Sequence, residues 1–445
     1  MDVSKIEKYH NQIREVTQGD GFVAEMILFE AGRGNGLSIL GRYPFIFHGL
    51  LSVISNLLYP LMGLKRKVKL NNDDDFAFIS CPDPIFRTKT INLIAGDLKY
   101  GIIYLPTFHI SAALKYHKFF ERNHIRAYFP TIKIRYVLEA KRRLSFFKKR
   151  CAGLDNNIEC QRLLSTLSMF LIYDGVVKEY LKEASSFNGK WILEHDKYYF
   201  MPAVSNIRQA GDESIMLQHG VFFRKSHNYF PLFCDKVLCC SEREKRIYAK
   251  NGVAKERVIV FGAPLQTLQF SDAGKDVTRH YEMLVLLTEI KESNKEIISS
   301  VLSFIKQNYD SVLIRLRPRS RKTDEALLGD VLHGFALSRS EKTIIEDINS
   351  CNKVVSFSED ANVEVAKLHK PFIFVWNEGE QDLKSMGNCA TIGNYKEEIN
   401  KLMNMTFYST FSPEQYEEVI GVSDVAKLRE KFLRFIKNKC PSTLS

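Results

Sequence analysis

Several patterns that would place this chain of 445 residues in a familiar class are missing. Its nine cysteines are scattered, with no CxxC pair and no regular spacing. A disulfide-stapled scaffold is therefore excluded, and buried free thiols in a reducing compartment are expected, Cys239-Cys240 inside an apolar run among them. There is no EF-hand loop, no HExxH and no Walker A pattern, and no GxGxxG follows the first strand. The Gly-rich AGRGNG (Ala31–Gly36) has no strong strand before it, so a dinucleotide reading is weak. The opening residues MDVSKIEKYHNQ lack the basic-then-apolar order of a signal peptide. No low-complexity tract or solenoid-length repeat is present.

The composition, 45 % hydrophobic and 26 % charged, is that of a globular protein, and the length suits two domains of roughly 150–250 residues. Net charge is +11 and uneven. KRKVK (Lys65–Lys69) and KRRLSFFKKR (Lys141–Arg150) are basic clusters, the second interleaved with Leu144, Phe146 and Phe147. A solvated helix face and an anionic membrane surface both account for them. No nucleic-acid module accompanies the charge, so nucleic acid is not an expected partner. The uncharged stretch Tyr43–Leu64 carries a polar stripe (His48, Ser52, Ser55, Asn56, Tyr59) opposite an apolar one (Ile46, Leu50, Val53, Leu57, Leu61). That pattern fits a packed helix or an interfacial one better than a membrane span.

From Phe76 the chain alternates short apolar runs with helical stretches: FAFIS, YGIIYLP, IRAYF, WILEH, SIMLQ, KVLCCS and RVIVFG. Runs without polar alternation suit parallel strands covered on both faces. Gly, Pro, Ser and Asp interrupt the rhythm over Val260–His280, and a second series follows, from YEMLVLLTE to PFIFVW. The expected organisation is α/β. It comprises a helical N-terminal addition over 1–75, a first Rossmann-like domain over 76–270, a second over 278–410, and C-terminal helices over 411–445 that pack back on either domain.

Ligands in open α/β sheets bind beyond the carboxyl ends of strands. Gln218, His219 and Gly220 follow SIML, and Glu194, His195 and Asp196 follow WIL. His219, between a strand end and a glycine, is the candidate acid/base, and a structural histidine is the plain alternative. Asp196 serves as a helix cap or, with Glu194, as a base. Arg315, Arg317 and Arg319 surround another strand end and would bind phosphate bidentately, or stand in a solvated loop. Ser356, Ser358 and Glu359 precede a helix, as N-caps or as an anion site. Glu364 lies one turn further on, near a ribose or on the surface. Gly262 ends the last strand of the first series.

SIMLQHGVF, DKVLCCSEREKRIYAKNGVAKERVIVFGAP and CNKVVSFSEDANVEVAKLHKPFIFVW, in that order, resemble the GT-B fold glycosyltransferases of bacterial capsule and lipopolysaccharide assembly. That group includes Kdo, sialyl and polysialyl transferases and teichoic acid glycerophosphate transferases. The similarity runs from about Trp191 to Trp376. It implies two Rossmann-like domains with a cleft between them and a CMP- or CDP-activated donor. It further implies a glycan or lipid-linked acceptor, no metal, and a cytoplasmic enzyme peripheral on an anionic membrane. By this resemblance His219 is a base or donor contact, with Gly220 beside it. Arg317-Pro318 stands where many members carry His-Pro, and arginine cannot donate that proton at neutral pH. An epimerase of the same fold, a CDP-glycerol-type glycerophosphotransferase and a non-catalytic binding subunit are the alternatives.

Overall fold

The computed structural model describes residues 9–32, 53, 70–80, 85–105, 120–122, 125–151, 158–218, 230–264, 281–318, 320–339, 341–376, 389–404, 417–418 and 421–437. His219, Gly220, Arg319, most of Tyr43–Leu64 and all of Lys65–Lys69 lie outside them.

Two short helices open the described chain, α1 (His10–Val16) and α2 (Gly21–Gly32). The first α/β unit then runs β1 (Phe76–Ser80), α3 (Ile85–Ala95), β2 (Tyr100–Tyr104), β3 (Arg126–Tyr128), α4 (Ile134–Arg150), α5 (Ile158–Glu183) and β4 (Lys190–Leu193). It continues with α6 (Met201–Gln209), β5 (Ser214–Leu217), β6 (Lys236–Cys239), α7 (Glu242–Lys250) and β7 (Val258–Val260). The second unit runs β8 (Tyr281–Leu286), α8 (Glu292–Asn308), β9 (Val312–Arg315), α9 (Arg321–Leu328), β10 (Ala336–Leu337) and α10 (Ile344–Asn349). After these come β11 (Cys351–Ser356), α11 (Glu359–Lys367), β12 (Phe372–Trp376), β13 (Cys389–Thr391) and α12 (Tyr395–Asn404), and α13 (Val425–Lys437) ends the described chain.

Every strand pair is parallel. The first sheet has the order β3-β2-β1-β4-β5-β6-β7 and the second β10-β9-β8-β11-β12-β13. Both orders reverse direction once, between β1 and β4 and between β8 and β11. Connections on either side of such a point leave the sheet in opposite directions and open a crevice. The strands are short and almost wholly buried because each sheet is covered on both faces.

On one face of the first sheet, α1 and α2 join the same buried cluster as α4, α5 and α6. The other face is closed by α3 and by α13. Leu428, Phe432 and Ile436 of α13 are buried beside Phe76, Phe78 and Ile102. The Phe432 ring stands edge-on to Phe76 at 5.2 Å. The C-terminal helix thus returns to the first unit. Gly262 serves this return. With φ near +132°, a Cβ there would lie 2.6 Å from both Leu428 Cδ2 and the Val422 carbonyl oxygen. The glycine lets the returning chain pass, and the Ala263 N–H then donates to the Val422 carbonyl at 2.8 Å.

Candidate functional site

At the first crevice, Ser80 ends β1 and Glu194 follows β4. The Ser80 hydroxyl donates to Glu194 Oε2, and both side chains are buried. The sequence reading passed over Ser80, although the strand-end rule that selected Glu194 applies equally to FAFIS.

His195 comes next. Its Nδ1 accepts the main-chain N–H groups of Asp196 at 2.9 Å and Lys197 at 3.2 Å. An imidazole nitrogen that accepts carries no proton, so the neutral ring holds its proton on Nε2.

Asp196 is fully buried. Its Oδ1 accepts from Lys197 Nζ at 2.7 Å, and Oδ2 accepts the Phe233 N–H at 2.6 Å. Lys197 is equally buried, its ammonium 5.4 Å from the Phe233 ring centre. Burial pushes the Asp196 carboxyl up, but the Lys197 ammonium beside it outweighs this and holds the group well below the usual carboxylate range. Asp196 is not the helix cap the sequence suggested, because a 3₁₀ turn over Tyr198–Phe200 intervenes before α6 and no side-chain cap bond forms. Nor is it placed as a base: its oxygens are spent on Lys197 and Phe233. Glu194, enclosed with Ser80, is no better exposed to an acceptor hydroxyl.

Gln218, at the end of β5, is buried too. Its Nε2 donates to Glu244 Oε2 at 2.8 Å, and its Oε1 accepts from the Tyr248 hydroxyl at 3.2 Å. The same Glu244 oxygen accepts the Cys240 N–H at 2.9 Å. The polar residue at the end of this apolar strand is therefore an anchor to α7. It fixes the chain one residue before His219, while the Asp196–Phe233 bond fixes it again on the far side, between Phe230 and β6.

At the second crevice, Ser356 ends β11 and is buried. Its Oγ accepts the Ser358 N–H at 3.1 Å and donates to the Ser358 carbonyl at 3.0 Å. Its hydroxyl braces the turn rather than facing a ligand. Ser358 is the N-cap of α11, is half-buried, and makes no side-chain cap bond. Glu359 begins that helix. Glu364 is buried on α11, which removes the surface-glutamate alternative. Arg317 is half exposed, with Nη1 3.9 Å from Glu289 Oε2 on the turn after β8. Asp324, buried on α9, accepts the Ile290 N–H at 3.1 Å and so holds that turn. Neither Glu289 nor Asp324 was selected from sequence.

Arg315 does not join this group, and its assignment to the phosphate is corrected. Its guanidinium pairs with buried Asp347 and donates to the Lys342 carbonyl at 3.0 Å and to Ser338 Oγ at 3.3 Å. These contacts bind β9 to the turn after β10 and to α10, on the side of β9 away from β8. Among the described residues, no group of three or more His, Cys, Asp or Glu side chains is placed to hold a metal ion.

No family model and no curated protein sequence matches the chain. Solved structures do. A glycosyltransferase from Rickettsia africae superimposes with a TM-score of 0.54 at 10% identity, over 82% of this chain and 99% of that one. A UDP-GlcNAc 2-epimerase from Methanocaldococcus jannaschii gives 0.52 at 15% identity, over 81% and 99%. A lipopolysaccharide outer core galactosyltransferase, WaaB in its apo form, gives 0.50 at 13% identity, over 82% and 99%. The chain has the GT-B fold. At these identities the likeness establishes the architecture alone. It fits the two parallel sheets and their switch points, and it agrees with the α/β, GT-B expectation from sequence.

Proposed function

We propose that this GT-B protein is a glycosyltransferase that moves a sugar from a nucleotide-activated donor to a glycan or lipid-linked acceptor. The observation that carries the reading is the chemistry at the two switch points. The second offers a half-exposed arginine, the Ser358 hydroxyl and the opening turn of α11, groups that neutralise a diphosphate or monophosphate. Glu364 lies farther along the same helix, where a ribose would follow the phosphate. At the first the carboxylates Glu194 and Asp196 are buried, and His219, which follows β5 in the sequence, is the residue assigned to take the hydroxyl proton. Developing phosphate charge would be held by Arg317 and helix N–H groups without a metal. The nucleotide favoured by the sequence resemblance is CMP or CDP.

The test is incubation with CMP-, CDP- and UDP-sugars, with and without a glycan acceptor. Release of free nucleotide only when acceptor is present supports transfer. Interconversion of the sugar with no acceptor assigns the epimerase reaction instead. A thermal shift by nucleotide with neither product assigns a binding subunit, since a bound ligand stabilises by RT ln(1 + [L]/Kd). Turnover should survive EDTA.

Arg317→Ala should weaken nucleotide binding by about ten- to a hundredfold, the loss of one charge-assisted bond to phosphate worth roughly 1.5–3 kcal/mol. Calorimetry with CDP and UDP measures it. Arg317→Lys should recover only part, because a point charge does not replace the planar fork. An unchanged Kd in Arg317→Ala would move the phosphate elsewhere.

A further inference from the structure

The helix α4 presents a face that the described residues leave uncovered. Its inner side, Val137, Ala140, Leu144 and Phe147, is buried against the first unit. Its outer side carries Ile134, Leu138 and Phe146, exposed by 53, 60 and 48%. They are three of only seven large hydrophobics so exposed among the described residues, and they fall on one side of one helix. The sequence had grouped Leu144, Phe146 and Phe147 together; only Phe146 points outward, and Ile134 and Leu138 from the previous turns join it.

Among the described residues the charge left without an ion-pair partner on this face is positive. Carboxylates that reach it are already engaged: Glu139 by Arg142, Glu179 by Lys133 and Arg135, and Glu15 by Arg150. Arg143 is turned inward, where it donates to the Val16 carbonyl and ties α4 to α1. Lys141, Lys148 and Lys149 are exposed and have no carboxylate within 4 Å among the described residues. An amphipathic helix with aliphatic and aromatic side chains set among lysines is built for the headgroup region of an anionic bilayer.

We propose that α4 docks this protein on an anionic lipid surface, with Ile134, Leu138 and Phe146 entering the headgroup layer and Lys141, Lys148 and Lys149 meeting lipid phosphates. The placement serves the transferase reading, on which its purpose rests. The helix starts just beyond the carboxyl end of β3, the outermost strand, two strand spacings or about 10 Å from β1 and the first crevice. A lipid-linked acceptor held at the surface would reach that crevice without leaving the membrane.

The experiment is co-sedimentation of the full chain with phosphatidylcholine vesicles containing or lacking phosphatidylglycerol. Three forms are compared: wild type, Ile134→Ser/Leu138→Ser/Phe146→Ser, and Lys141→Gln/Lys148→Gln/Lys149→Gln. All six positions are exposed, and a matching Tm confirms that each variant folds. Wild type should prefer the anionic vesicles and lose binding as salt rises. Each lysine removed should cost roughly fivefold, and the serine variant should bind at least about tenfold more weakly. A single Phe146→Trp variant should be quenched by brominated lipid. Equal partitioning onto both vesicle types, or anionic binding untouched by the serine variant, would overturn the proposal. So would a wild-type dimer that the serine variant converts to monomer, since a second copy would then cover this face. Transfer to a short soluble acceptor is assayed separately on the same proteins. Vesicle binding that follows the pattern without turnover leaves the docking in place and removes the transferase reading; turnover without vesicle binding does the reverse.

Discussion

Replacing Lys197 by methionine is expected to destabilise the protein by about 3–5 kcal/mol, the usual cost of leaving one member of a buried ion pair uncompensated. Both Asp196 and Lys197 are fully buried, and among the described residues the Asp196 carboxylate keeps the Phe233 N–H once the ammonium is gone. Methionine fills the same volume, so cavity formation contributes little. Denaturant unfolding measures the loss. The pH dependence carries the diagnosis. In the wild type the folded carboxyl sits below the usual range, so its contribution to stability is present above about pH 4, the unfolded value, and is lost as pH falls through the folded one. In Lys197→Met the desolvation of Asp196 is no longer outweighed by the ammonium, and its folded pKa rises. That variant then gains relative stability as pH falls and the carboxyl protonates. The gap between the two proteins should be widest at neutral pH and narrow in acid. Asp196→Asn/Lys197→Met should recover part of the loss. A constant gap between pH 4 and pH 8 would show that packing, not charge, was removed.

The strands were legible because each is a short run of Val, Ile, Leu and Phe buried on both faces, a pattern that excludes an amphipathic alternative. FAFIS, SIML and VLIR became β1, β5 and β9 within a residue or two. Helices with a weak apolar signature were not. Arg321–Leu328 follows RPRS and buries only Asp324 and Leu328, so its pattern hides in a basic loop. Tyr395–Asn404 has Tyr395, Ile399 and Leu402 at helical spacing, a signal that was present but lay beyond the last strand selected. The side on which α13 packs is a matter of long-range contact, and its stripe of Leu428, Phe432 and Ile436 would have suited either sheet.

The strand-end rule selected residues that stand at the carboxyl ends of both sheets, but it does not give the state of each side chain. Asp196 and Lys197 are adjacent in sequence and neutralise each other in the interior, which no spacing argument distinguishes from a catalytic carboxylate beside a surface lysine. Arg315 and Arg317 differ by one alternation. Arg315 is taken by Asp347, 32 residues away, while Arg317 stays half exposed. Gln218, which also follows SIML, is an anchor to Glu244 and Tyr248.

That division among the polar residues sets the largest expected effect on turnover. Glu194 is enclosed with Ser80, Asp196 is spent on Lys197 and Phe233, and His195 directs its bare nitrogen at two main-chain N–H groups. As a neutral ring His195 can offer Nε2–H but cannot take a proton without surrendering those bonds. His219 is left as the candidate base, one residue beyond a glutamine whose amide is fixed at both ends. His219→Ala should lower kcat by about 10²–10⁴-fold, the range of a lost general base, with Tm and nucleotide affinity unchanged. His195→Ala should have a smaller effect on kcat. Asp196→Asn should act chiefly on Tm. The pH profile separates these roles. A histidine base loses activity in acid as it protonates, near pH 6.5 for an unperturbed imidazole, and that limb should vanish in the residual activity of His219→Ala while persisting in the other two. An acid limb that disappears instead in Asp196→Asn, at an unaltered Tm, would return the base to the carboxylate and leave His219 a structural residue.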